Sequence, residues 1–201
     1  MKKFLIATLM CVMVLGMTST AKAITLLPGT GATAISGASL PAWTTLHATL
    51  VSPFSFGPIL KSGTVTQNVY SNSTGMLFTY LITRDAAAPG EFLSRMTATS
   101  FSGFTVDADF DSSTSGNVAL TVDRISGSTV GFNFSPINAS QNSRLVWIQT
   151  NAQYYGSGVV SLINGGSQNL TMYGPTVPEP ATLSLLGLGL LGLLGFRKRK
   201  V

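Results

Sequence analysis

Phe104-Thr105-Val106-Asp107-Ala108-Asp109-Phe110-Asp111 places an apolar side chain at every second residue and a polar one between each pair. A period of two sends alternate side chains to opposite faces of an extended strand. This octapeptide therefore predicts a strand with Phe104, Val106, Ala108 and Phe110 toward a core. The pattern recurs on either side. Val118, Leu120 and Val122 alternate with Ala119, Thr121 and Asp123; Val130, Phe132 and Phe134 alternate with Gly131, Asn133 and Ser135. Further strands are predicted near 46–51, 63–70, 76–83, 92–99, 144–150, 153–163 and 168–173. Ser126-Gly127-Ser128 and Asn164-Gly165-Gly166 each sit between two such runs as hairpin turns. No window of the body sustains a helical period.

About ten short strands, each with one apolar face, are satisfied by packing two sheets face to face. The predicted fold is all-β, an antiparallel β-sandwich of jelly-roll or immunoglobulin-like topology. It occupies residues 24–176, a length that buries a core without disulfides. Nine phenylalanines (54, 56, 78, 92, 101, 104, 110, 132 and 134) supply much of that core. Residues 24 to about 44, rich in Gly, Ala, Ser and Thr, read as a first edge strand or a loose leader. Residues 174–180 read as a short Pro-containing tether.

The formal charge of +5 belongs to the ends. Between Ile24 and Val177 there are five cations (Lys61, Arg84, Arg95, Arg124, Arg144) and six acids. That balance excludes a basic nucleic-acid-binding face, so no nucleic-acid partner is expected.

The two ends read as addresses. Lys2 and Lys3 precede the apolar run Phe4–Met17, and Ala21-Lys22-Ala23 fits small-x-small cleavage, so residues 1–23 are expected to be a signal peptide. The signal peptidase site is Ala21 and Ala23, with Ile24 as the new N-terminus. The apolar run is short for an uncleaved anchor. Cys11, the only cysteine, lies inside it, so the exported chain would carry no disulfide and no thiolate site. At the other end, residues 177–201 run from Val177-Pro178-Glu179-Pro180 through an apolar stretch, Ala181–Phe196, to Arg197-Lys198-Arg199-Lys200. As a helix the stretch would be roughly 24 Å long against about 30 Å of hydrocarbon, a short transmembrane span. The basic cluster should remain cytoplasmic. Gly187, Gly189, Gly192 and Gly195 offer no GxxxG spacing.

A Pro-Glu-Pro tripeptide, a Leu/Gly-rich span and a terminal basic cluster, in that order, resemble the PEP-CTERM sorting signal of exported proteins. The resemblance implies that Pro178, Glu179 and Pro180 are the recognition motif of an exosortase-like membrane protease. It implies that the span holds the chain transiently in the inner membrane, and that Arg197, Lys198, Arg199 and Lys200 stop transfer. The two prolines fix φ and disfavour helix in the residue before each, which presents the motif extended. The segments Val69-Tyr70-Ser71-Asn72 and Val122-Asp123-Arg124 resemble, more weakly, parts of other PEP-CTERM bodies, and bring no activity with them.

Catalytic patterns are sparse. His47 is the only histidine, and in Leu46-His47-Ala48 it reads as structural. There is no G-x-S-x-G elbow. Glu91 and Glu179 are the only glutamates, and Glu179 belongs to the sorting motif. Asp107, Asp109 and Asp111 share one strand face, so they cannot flank a glycosidic bond from opposite sides. Their spacing resembles the start of a calcium loop, but Ser112 and Val118 stand where an EF-hand needs Gly and Glu. Two readings follow for them: an outward strand face running into a polar loop, or a calcium site. No other cofactor is implied. Trp147, Tyr154 and Tyr155 read as core packing or as a sugar-stacking platform. Asn72, Asn138 and Asn169 lie in N-x-S/T sequons. The expected function is a non-enzymatic exported protein of the cell surface or extracellular matrix of a Gram-negative-type bacterium. The alternatives are a carbohydrate-binding or adhesive module acting on exopolysaccharide and, less favoured, a secreted hydrolase.

Overall fold

The computed structural model describes residues 23–57, 61–86 and 92–177. The expected signal peptide up to residue 22 and the tail from residue 178 lie outside the described residues. Among those described there are twelve strands and no helix. The ten expected from alternation form as β3 (Thr45–Phe56), β4 (Lys61–Asn72), β5 (Gly75–Arg84), β6 (Leu93–Ala98), β7 (Val106–Phe110), β8 (Ala119–Arg124), β9 (Val130–Ile137), β10 (Val146–Thr150), β11 (Tyr154–Ile163) and β12 (Ser167–Thr176). Two more, β1 (Ile24–Thr25) and β2 (Thr30–Ala34), come from the Gly/Ala/Thr-rich start.

The strands divide into two six-stranded sheets, ordered β1-β7-β10-β5-β4-β3 and β12-β11-β6-β9-β8-β2. Every strand pair is antiparallel. Strands β3, β4 and β5 form a meander, whereas β8–β9, β7–β10 and β6–β11 are nested pairs placed alternately in the two sheets. The inner faces meet in one core that includes Phe78, Tyr80 and Ile82 of β5, Val106 and Ala108 of β7, and Phe132 and Phe134 of β9. Phe78 meets Phe101 edge-on at 6.0 Å between centroids. Such contacts add to the burial of large rings in place of disulfide cross-links.

Local chemistry accounts for the turns and the closed edge. Asn72 Oδ1 accepts from the backbone N–H groups of Thr74 and Gly75, an Asx turn that closes the β4–β5 hairpin. Gln67, wholly buried, joins the sheets where β3 and β4 approach β12. Its Nε2 donates to the Tyr173 carbonyl at 2.8 Å, and its Oε1 accepts from the Tyr173 N–H at 2.7 Å. A single amide side chain thus supplies both bonds that the free edge of β12 lacks at that residue.

Two expectations change in detail. Leu120 is 52 % exposed. The β8–β9 ladder is irregular between Ala119, opposite Phe134, and Thr121, opposite Asn133, so Leu120 is an extra residue on β8. A bulge of this kind turns the side chain out of the alternation that Val118 and Val122 suggest. Of the two readings of residues 24–44, a first edge strand or a loose leader, the edge strand holds, and there are two of them. β1 edges the first sheet on β7 and β2 edges the second on β8. Beyond β2, Ala38, Leu40 and Trp43 pack on Leu77, Trp147 and Tyr70, so residues 35–44 strap the outer face of the first sheet.

Two arginines organise the second sheet. On its outer face, Arg95 clamps Asp123 through Nη1 and Nη2 at 2.6 and 2.9 Å, and Asn133 at 2.6 Å. The pair passes over β9 at Gly131, where a Cβ would lie 2.3 Å from Arg95 Nη2 and 2.7 Å from Asp123 Oδ1. Arg124 turns the other way. Its guanidinium is buried and donates to the carbonyls of Leu26, Phe101, Phe104 and Gly127. It thereby fastens the N-terminal segment, the loop before β7 and the β8–β9 hairpin at one end of the sandwich. Replacing Arg124 with Leu leaves four carbonyls without this donor, and should cost about 3 kcal/mol of stability. A urea titration followed by tryptophan emission checks this, since Trp43 and Trp147 both belong to the strap cluster. An unchanged midpoint would remove Arg124 from that role.

Candidate functional site at the end where the chain leaves the sandwich

β12 pairs with β11 along its whole length, from Ser167 opposite Ile163 to Thr176 opposite Tyr154. Its last residues are packed tightly. A Cβ at Gly174 would meet Ser100 Cβ and the Thr99 carbonyl at 3.1 Å, so glycine lets the loop before β7 close over the strand. Ser100 itself holds a φ of +82°, a left-handed backbone conformation uncommon outside glycine. Val177 then emerges, 69 % exposed.

Two shallow clefts adjoin this exit and share Gly103 and Phe104. One, of about 240 Å³, lies between Phe104, Asn151, Tyr154, Thr176 and Val177. The other, of about 280 Å³, lies between Phe104, Leu26, Leu27, Pro28 and Arg124. Asn151 Oδ1 accepts from the Thr105 N–H at 2.9 Å and fixes the wall between them. Among the described residues Arg124 is the only charged one lining either cleft, and its donors are held by backbone carbonyls.

Ile24, the expected new N-terminus, lies in β1 opposite Ala108, and Ala23 packs on the strap cluster. Ala21 lies outside the described residues. So do Pro178, Glu179 and Pro180, the cluster Arg197, Lys198, Arg199 and Lys200, and Glu91.

The three aspartates are separated by what covers them. Asp107 accepts from Thr25 Oγ1 at 2.5 Å. Asp111 is buried and caps the following turn through the N–H and Oγ of Ser113. Asp109 has no exposed surface; its Oδ1 accepts from the N–H groups of Gly37 and Phe110, and its Oδ2 makes no hydrogen bond to the described residues. The outward-face reading therefore fails at Asp109, because the strap lies over that face. Gly37 permits the approach: at φ +84°, a Cβ there would stand 2.5 Å from the Phe110 ring. Among the described residues no group of three or more His, Cys, Asp and Glu is placed to hold a metal ion.

His47 is exposed beside the irregularity of β3, with Nε2 2.6 Å from Ser71 Oγ and its ring 5.9 Å from Tyr155. Trp147 is buried under the strap, and Tyr155 packs edge-on against Tyr173 at 5.3 Å. Tyr154 alone of the proposed platform is well exposed, at 56 %. Asn72 and Asn169 are engaged in a turn and in a bond from Ser161 Oγ. The organising groups that pattern-reading passed over are Arg124 and the pair Arg95–Asp123. The segment Val122-Asp123-Arg124 contains Asp123 and Arg124, while Arg95 comes from β6, and the geometry of all three is structural.

Residues 176–200 match the family model of the PEP-CTERM protein-sorting motif. The chain thus carries, at residues 176–200, a motif that indicates an exported protein sorted by an exosortase, a membrane protein that processes its substrates. The sorting signal implies passage through the membrane to the cell surface. No curated protein and no solved structure matched the chain. The match begins on the last residue of β12, so body and signal abut.

Burial raises the Asp109 carboxyl above its ordinary range, opposed by the backbone N–H groups of Phe110, Gly37 and Ala38. A carboxyl raised on folding stabilises the folded state at low pH, and that contribution is lost as pH rises through the folded value. Asp109→Asn should therefore be more resistant to urea than wild type at neutral pH, with the advantage shrinking as the solution is acidified. Urea midpoints of both proteins across pH 4 to 8 check the sign.

Proposed function

We propose that this chain is a non-enzymatic exported β-sandwich, cut from its leader at Ala23–Ile24 and delivered to the cell surface or extracellular matrix after exosortase processing. The observation that carries the reading is the sorting motif at residues 176–200, beginning where β12 ends. In this reading Pro178-Glu179-Pro180 is gripped just outside the inner membrane. Residues 181–196 hold the chain there, and Arg197, Lys198, Arg199 and Lys200 keep the tail from following. Among the described residues no helix is long and apolar enough to cross a membrane, so in this scheme the hold on the bilayer falls to the tail.

The placement of four of the six acids between Ile24 and Val177 supports a body without catalysis; of the other two, Asp85 is exposed and Glu91 lies outside the described residues. Asp123 is held by Arg95, Asp111 caps a turn, Asp107 bonds Thr25, and Asp109 is covered. The carbohydrate-binding reading has less support, since Trp147 and Tyr155 are engaged in packing.

Replacing Pro178, Glu179 and Pro180 together with alanine should leave the tail attached and the protein retained in the membrane. Intact-mass spectrometry of membrane, surface and medium fractions of the native host checks it. Wild type should begin at Ile24 and lack Val201, whereas the variant should keep Val201. Processing of the variant at the wild-type level would overturn the reading.

A further inference from the structure

Four of the most exposed apolar side chains among the described residues stand at the same end of the sandwich. Leu27 is 69 % exposed, Ile125 70 %, Tyr154 56 % and Val177 69 %. The two clefts connect them. Leu27 and Phe104 border the first, and Phe104, Tyr154 and Val177 border the second. Ile125 follows Arg124 directly, on a hairpin whose Gly127 carbonyl shares the Arg124 guanidinium with the Leu26 carbonyl. A band of apolar surface thus runs from the β8–β9 hairpin to the exit of β12, and among the described residues no exposed charge lines its clefts. The cleft at the distal end is lined by Ser113, Thr114, Ser115 and Asn142 together with Leu81 and Leu145, none of them among the most exposed apolar side chains.

The length of chain beyond Val177 says what faces this band. Only Pro178, Glu179 and Pro180 separate Val177 from Ala181, where the apolar stretch begins. Four extended residue steps reach at most about 14 Å, while the headgroup layer on each side of a bilayer is roughly 6 Å deep. While residues 181–196 sit in the membrane, the exit end cannot stand far above it. A tyrosine and aliphatic side chains suit the headgroup boundary, where a ring with a polar tip is favourably placed and a carboxylate such as Asp107, bonded to Thr25 at the rim of the first cleft, can stay on the wet side.

We propose that the exit end is a membrane footing: Leu27, Phe104, Ile125, Tyr154 and Val177 settle into the interface of the bilayer that the tail enters. The footing orients the body upright and keeps Pro178-Glu179-Pro180 at interfacial depth, within reach of a protease embedded in the same membrane. It rests on the sorting reading, and it adds a lipid contact made by the folded body itself. Once the tail is removed, a few apolar side chains hold weakly, so the same surface lets the processed body leave.

The test uses residues 24–201, the leaderless form that keeps the tail and carries no cysteine of its own, with one new cysteine at Leu27→Cys, Ile125→Cys, Tyr154→Cys or, as the distal control, Ser115→Cys. Each position is exposed, so folding is spared. Each variant carries an environment-sensitive fluorophore and is reconstituted into phosphatidylethanolamine–phosphatidylglycerol vesicles containing nitroxide lipids. The expected result is blue-shifted emission and nitroxide quenching at positions 27, 125 and 154, and neither at 115. Vesicle-bound protein with all four labels in water would overturn the footing and leave the anchoring tail intact. Failure to bind vesicles at all would overturn both. Shielding that follows protein concentration and not lipid would assign the end to a second copy and overturn the footing.

Discussion

The carbonyls of Leu26, Phe101, Phe104 and Gly127 converge on the buried guanidinium of Arg124. Among the described residues no acid pairs with it; carbonyl dipoles compensate the charge, and burial lowers its proton affinity from the ordinary arginine value. A planar fork of five donors can serve several carbonyls at once, which a lysine ammonium cannot match in geometry. Three stretches far apart in sequence meet there: the turn between β1 and β2, the loop before β7 and the β8–β9 hairpin. The exit clefts, the course of Phe104 and the position of Leu27 beside Ile125 all follow from that convergence.

Much of the sandwich was legible because a half-buried strand writes its two faces as a period of two. The ten predicted strands form, and Asn164-Gly165-Gly166 and Ser126-Gly127-Ser128 turn where expected. Pattern fails where an element is too short to have one. β1 has two residues and β2 five, drawn from Thr, Gly and Ala. It fails again at Leu120, because a bulge breaks the period without a residue that announces it. Alternation also says which side chains share a face, but not what lies above that face. Asp109 and Trp147 are opposite one another on neighbouring strands, one acidic and one aromatic, and both are buried by the same strap.

The sorting end was more legible than the body, for a chemical reason. Two prolines, an apolar run and a cationic stop act through composition and order, which a linear sequence displays directly. The platform expected from Trp147, Tyr154 and Tyr155 depends on three-dimensional neighbours, and those neighbours divide it. Trp147 faces the strap, Tyr155 faces Tyr173, and Tyr154 remains at the exit. Arg124 stayed hidden because an arginine at a strand end normally reads as solvated.

The junction between body and tail also bears on how the exported protein withstands being held. Any pull from the tail enters at Val177 and runs along the axis of β12. That strand is bonded to β11 over all ten of its residues, so the load falls on the ladder in shear, shared among many hydrogen bonds, and does not unzip them singly. Gln67 clamps the other edge of β12 through both polar groups of Tyr173, and Gln168 accepts from the Ser55 N–H of β3. The strand that carries the sorting signal is therefore bonded on both edges, to its own sheet and to the opposite one. β12 is an edge strand of its sheet, and three side-chain hydrogen bonds to β3 and β4 give it a hold beyond its single ladder.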